Sequence, residues 1–162
     1  FLLIPGYNTD TALTCDERFR LPEDTVDDHL IVSIHYYSPA EFVLAEHDSD
    51  WCTPVDVWGS DEEVAAVEAD FAKQKVRFID NGIPVIIGEY GLLTEPADHK
   101  DHDSNIKWLR TVIRCALTNG SCPILWDTST KEMCFLNRET GRFFDPEVEA
   151  IYQEARTMSV AQ

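Results

Sequence analysis

An α/β domain on a parallel sheet of four strands is the fold class this sequence predicts, and three observations carry it. Apolar runs recur at residues 1–5 (FLLIP), 30–35 (LIVSIH), 84–89 (PVIIGE) and 123–126 (PILW). Helical stretches fall between or after them, giving the order β–(α)–β–α–β–α–β–α, which calls for right-handed crossovers. The run opening at Pro84 holds three β-branched residues in succession, the mark of a strand buried on both faces.

Each element has a local reason. The link over residues 6–29 is polar and has room only for a short helix. Ser60 followed by Glu63 predicts a capping box for a helix over roughly 61–80, with Val64, Val67, Phe71 and Phe78 on its apolar stripe. A second helix, about 104–118, gathers Ile106, Leu109, Ile113 and Leu117 on one face, and Asn119-Gly120 ends it. The last helix takes Asp145 as N-cap and Pro146 as its first residue, and buries Val148, Ile151 and Ala155. Residues 38–59 and 127–144 are long loops leaving the same edge of the sheet, where βα loops build active sites. An eight-stranded barrel of alternating strands and helices needs ~250 residues, so four strands supply half of one.

At 162 residues, 44% hydrophobic and with four Trp, five Tyr and eight Phe, the chain can bury one ordinary core. Thirty acidic against 13 basic side chains leave a net charge of −17. That balance disfavours nucleic acid and anionic membrane surfaces as partners and is compatible with a neutral ligand such as a sugar. No apolar run reaches the length of a membrane span. The opening FLLIPGYN holds neither a Met nor a basic leader, so no signal peptide is expected in this chain, and it reads as a piece of something longer. Five cysteines, Cys15, Cys52, Cys115, Cys122 and Cys134, show no zinc-like spacing. A bridge between Cys115 and Cys122 is one open pairing.

The residues able to do chemistry end the strands. Glu89 closes the run PVIIGEYG at the carboxyl edge of the sheet, where it can serve as nucleophile, base or acid, or simply pair and cap. Alternation puts Ile31, Ser33 and His35 on one face, with Tyr37 just past the strand. His35 is either a structural histidine or a donor to a substrate hydroxyl, and Tyr37 can hold a carboxylate. Trp126, ending the fourth strand, is either core or a flat face for a pyranose ring. Trp51 and Trp58, in the loop after His35, either extend such a platform or anchor the loop. His99 and His102, flanked by Asp101 and Asp103, resemble a metal cluster only superficially, so no metal site is expected. Neither a Gly-rich phosphate loop nor a G-x-S-x-G elbow occurs.

These segments, in this order, make the chain resemble glycoside hydrolase family 5, the cellulase family of retaining β-glycosidases. FLLIPGYNTD is similar to the fifth strand of that barrel and its loop, HLIVSIHYYSPAEF to the sixth, PVIIGEYG to the seventh and PILWDTST to the eighth. FLNRETGRFFDPEVEAI resembles its closing loop and helix. The resemblance implies that residues 1–162 form one unit, the second half of a (β/α)8 TIM barrel. It implies Glu89 as nucleophile, Tyr37 hydrogen-bonded to it, His35 on sugar and near the acid/base, and Trp126 stacked at the cleavage point. No cofactor is implied; the implied substrate is a β-1,4-glucan such as cellulose, with xyloglucan, mannan and mixed-linkage glucan left open. Secretion follows only by analogy, because such polymers lie outside cells.

The chain also departs from the family. The acid/base of the family is a Glu directly after an Asn on the fourth strand, and this sequence has no Asn-Glu dipeptide. Retaining hydrolysis needs two carboxyl groups ~5–5.5 Å apart. Asp127 and Glu95 are nearby but do not fit the pattern. The expectation is therefore a fragment that carries a nucleophile without its acid and is inactive or weak alone. A non-catalytic glycan-binding or scaffold half-barrel is the alternative. Four strands with a bare inner face also need a cover, from a complementary N-terminal half, from self-association, or by flattening into an open sheet. In a symmetric dimer the two Glu89 residues stand four strands apart, too wide for retaining geometry.

Overall fold

The computed structural model describes residues 1–23, 25–94, 100–128 and 132–158. Four parallel strands, β1 (Leu2–Pro5), β2 (Leu30–Tyr36), β3 (Val85–Tyr90) and β4 (Cys122–Leu125), lie side by side in chain order. The link from β1 to β2 contains a short helix, α1 (Thr11–Cys15), capped by the Asp10 carboxylate on the Leu13 N–H at 2.7 Å. The two crossover helices are α3 (Asp61–Arg77) and α4 (His102–Asn119), and α5 (Pro146–Ala155) closes the order. The loop after β2 includes one further helical turn, α2 (Ala40–Val43).

The local signals set these elements as expected. Ser60 and Glu63 form a reciprocal capping box at the start of α3. Asp145 caps α5 with Pro146 in the first turn, and Gly120 ends α4 in the left-handed conformation at φ 88°. Boundaries moved slightly. The helix expected over 61–80 stops at Arg77 and continues as a 3-10 turn, Ile79–Asn81. α4 begins at His102, two residues before the expected start at 104, because Asp101 accepts the Ser104 N–H and so starts the helix.

The core lies between the sheet and its helices. Val32, Ile34, Tyr36, Val85 and Ile87 are buried against Phe71, Trp108, Val112 and Ile113. The Tyr36 ring packs on Phe71 at 4.9 Å and on Trp108 at 6.4 Å between centroids. The opposite face is open: Leu3 is 52% exposed and Ile124 48%. Ile86 on that face is only half-buried, so the expectation that this strand is covered on both faces does not hold. Helices cover one side, and among the described residues nothing covers the other as completely. All five cysteines are free thiols, Cys115 buried and Cys122 exposed, so the bridge left open by sequence is not made. No helix among the described residues is long and apolar enough to cross a membrane.

Candidate active site

The registers of β3 with its two neighbours place Glu89. Against β2 the pairing runs Ile34 with Ile87, then His35 with Glu89; against β4 it runs Ile87 with Pro123, then Tyr90 with Leu125. β3 therefore holds one residue more than either neighbour at this point. Strict alternation from the buried Ile87 would turn Glu89 towards the helices and Tyr90 away from them. The extra residue reverses both. Tyr90 goes into the core, where its hydroxyl meets that of Tyr152 from α5, and Glu89 comes out on the open face beside His35. Bulges of this kind re-aim side chains near the ends of strands.

Gly88 is the residue that makes room. A Cβ there would lie 3.0 Å from Ser33 Oγ and 3.5 Å from two atoms of the His35 ring. The missing Cβ therefore lets the imidazole approach β3 closely while its Nδ1 reaches the carboxylate. The glycine inside PVIIGEYG was the available signal for this bulge, since a strand-interior Gly marks a bulge or a close approach.

Three of the residues singled out by sequence come together here. The Tyr37 hydroxyl donates to Glu89 Oε2 at 3.0 Å, and His35 Nδ1 stands 3.2 Å from the same oxygen. Oε1 is left without a hydrogen-bond partner among the described residues. Burial first, and the Glu89 carboxylate second, push the Tyr37 hydroxyl well above the ordinary phenol range. Tyr37 therefore stays a donor at every physiological pH. One carboxylate oxygen is fixed and its twin is free on a half-exposed face, which suits a nucleophile or a base.

The tryptophans separate. Trp126 follows β4 with its N–H on the Tyr90 carbonyl at 2.9 Å and 45% of its surface exposed. Trp51 is 65% exposed on the loop after β2, beside a turn closed by Ser49 and Cys52. Trp58 must be corrected. It is 3% exposed, its ring stacked on Phe42 at 6.2 Å and its backbone N–H held by Ser104 Oγ, so it has no face to offer a sugar. An indole between two apolar layers looks the same in sequence as one on a platform.

Asp127 is spent structurally. One oxygen accepts the Phe135 and Leu136 N–H groups at 2.7 and 2.9 Å, and the other takes Arg138 at 2.6 Å. Sequence reasoning also missed the hairpin that Asp127 holds, β5 (Leu136–Asn137) with β6 (Arg142–Phe143). The stretch Asn137 to Gly141 was the signal: the Asn137 side chain accepts the Glu139 and Thr140 N–H groups, and Gly141 turns at φ 67°. His102 pairs with Asp145 at 2.7 Å, whereas His99 lies outside the described residues. Among the described residues no cluster of three or more His, Cys, Asp or Glu side chains is placed to hold a metal ion.

The family model for cellulase (glycosyl hydrolase family 5) matches residues 1–132. Endoglucanase B of Clostridium cellulovorans is 37% identical over 153 residues, which take in 91% of this chain and 33% of that protein. A xyloglucan-specific endo-β-1,4-glucanase of Bacteroides ovatus is 31% identical over 155 residues, 87% of this chain and 30% of that protein. Among solved structures, a broad specificity endoglucanase from an uncultured bovine rumen ciliate superposes with a TM-score of 0.86 at 34% identity. That match covers 96% of this chain and 47% of the other, so the chain spans under half the length of each of these relatives.

Proposed function

Because the chain belongs to glycosyl hydrolase family 5, we propose that it is the nucleophile-bearing half of an endo-β-1,4-glucanase catalytic domain, residues 1–162 forming one C-terminal half-barrel. The observation that carries the reading is the Glu89 carboxylate at the carboxyl edge of a parallel sheet, with Oε2 held by Tyr37 and His35 and Oε1 without a hydrogen-bond partner among the described residues. In the proposed reaction Oε1 attacks the anomeric carbon of a β-glucosyl unit and the glycosidic C–O bond breaks. The departing oxygen takes a proton from an acid that this chain does not contribute. Water, giving its proton back to that now deprotonated acid, then adds its oxygen to the anomeric carbon, breaks the ester and restores the carboxylate. Tyr37 and His35 stabilise the charge that returns to Glu89 as the ester breaks. Trp126, and Trp51 further out, would stack against sugar rings. The same reading includes action outside the cell, where polymeric glucans lie.

The open face supports the incomplete state of the site. Leu3 and Ile124 put half-exposed apolar surface where the rest of a barrel would pack. A complementary N-terminal half covers it in the leading reading, and a second copy covers it in the alternative, a non-catalytic glycan-binding half-barrel.

An activated substrate that needs no acid separates these. A 2,4-dinitrophenyl 2-deoxy-2-fluoro-β-cellobioside should label the chain once, and peptide mapping should place the sugar on Glu89. Glu89→Gln should lose the label entirely while folding as before. Labelling at another carboxylate, or none with the chain alone or with its N-terminal half added, would remove Glu89 as nucleophile. Light scattering on the same samples reads whether the chain pairs with itself.

A further inference from the structure

We propose that Asp127 is the positioning residue for Trp126: by clamping the loop after β4 onto the β5–β6 hairpin, it fixes the indole in the pose that meets a sugar ring. This rests on the reading of the carboxyl edge of the sheet, where Glu89 and Trp126 stand, as a glycan cleft. The carboxylate of Asp127 is 7% exposed, yet it neither meets Glu89 nor faces solvent. It gathers donors from three successive points of the returning chain, the Phe135 N–H, the Leu136 N–H and the Arg138 guanidinium. Arg138 also donates to the Asp127 backbone carbonyl at 3.1 Å, so the clamp holds main chain as well as side chain.

The described residues on either side of the clamp are tied in turn. The Thr128 N–H donates to the Met133 carbonyl at 2.8 Å, and the Cys134 N–H to Thr94 Oγ1 at 3.1 Å. The Thr94 hydroxyl in turn donates to the Glu132 carbonyl, tying this loop to the one that follows Glu89. On the other side, the Trp126 N–H is bonded to the Tyr90 carbonyl. Its own carbonyl lies 3.3 Å from where a Cβ on Gly91 would stand, beside Met133 Sδ and the Phe135 ring. Trp126 is therefore held at its amide by β3 and, one residue later, by the Asp127 clamp, while its indole stays exposed. A buried carboxylate satisfied by three donors defines one geometry, and losing it leaves two backbone N–H groups unpaired.

The test uses the chain with Trp51→Phe, so that Trp126 is the strongly exposed indole and Trp58 and Trp108 remain buried. Acrylamide quenching reports the Trp126 pose, and titration with cellotetraose reports its use. Asp127→Ala should raise the quenching constant about twofold, as a freed loop opens. It should also weaken cellotetraose about tenfold, the scale of a lost stacking contact. Asp127→Asn keeps an oxygen for both backbone donors and should restore most of each. Should Asp127→Ala fail to fold, Arg138→Ala at the surface should move both readouts the same way by a smaller amount. Quenching that is unchanged in the variants that fold overturns the proposal, whatever the sugar does. Failure of the parent chain to bind cellotetraose would instead sink the glycan reading, with the quenching arm still deciding whether Asp127 sets the pose of Trp126.

Discussion

Along β2 alternate residues meet different surroundings. Val32, Ile34 and Tyr36 are 0%, 0% and 1% exposed against the helices, whereas Ile31, His35 and Tyr37 look onto the open face, each only partly covered. β3 repeats the contrast, with Val85 and Ile87 buried and Ile86 and Glu89 half-covered. The helix side holds the fold together by area removed from water. The open side contributes less to that burial and keeps the polar groups, since a carboxylate is tolerated only where water or partners reach it. Stability and chemistry are thus separated by one step of the pleat, which lets the site change without dismantling the core.

Substitutions on the two faces should break apart in size. Phe71→Ala, at 0% exposure beneath Tyr36, removes a packed ring and should cost ~3–5 kcal/mol in denaturant unfolding. Ile124→Ser on the open face should cost the isolated chain within ~0.5 kcal/mol and instead weaken any assembly built on that face. Equal losses from the two variants would mean that the open face is part of the chain's own core.

A smaller effect tests the charge tucked towards the buried side. Lys100 donates to the Phe42 and Val43 carbonyls with its ammonium 5.0 Å from the Phe42 ring centre. Burial pulls its pKa from 10.5 down to about 8, with Asp56 opposing. Because the folded value lies below the unfolded one, the folded chain releases this proton first, and stability should rise as pH climbs from about 8 to 10.5. Discounted for partial exposure, the rise should be about 1 kcal/mol. Lys100→Met should abolish it in urea titrations at pH 8 and pH 10. A slope that survives the substitution would assign it to other groups.

The smallest effect lies at the helix starts. His102, first residue of α4, is bonded to Asp145, the cap of α5, and this bond raises the His102 pKa above 6.5. Desolvation would raise Asp145, but the bonds from His102 and the Glu147 N–H prevail and lower it below 3.8. The raised histidine contributes fully below pH 6.5 and is lost as pH rises through its folded value; the lowered carboxylate contributes above 3.8 and is lost as pH falls. His102→Ala should therefore cost about 0.5 kcal/mol near pH 5 and less at pH 8. An equal cost at both would reduce the pair to packing.

What the sequence by itself determined is what neighbours along the chain can decide. Apolar runs set the four strands, Ser60 with Glu63 and Asp145 with Pro146 started helices, and Gly120 ended one. The order of those runs was enough to place His35, Tyr37 and Glu89 at one edge. Tertiary structure alone decided which way each side chain turned there. Glu89 meets His35 because β3 holds one residue more than the strands on either side, a count that exists only once three strands are paired. Trp58 is core and Trp126 exposed because Phe42 covers the first and no comparable partner among the described residues covers the second. Asp127 serves the loop because Phe135, Leu136 and Arg138 fold back onto it. Propensity and capping act within a few residues, whereas burial, register and hydrogen-bond partners depend on which distant segments meet, and only the folded chain settles that.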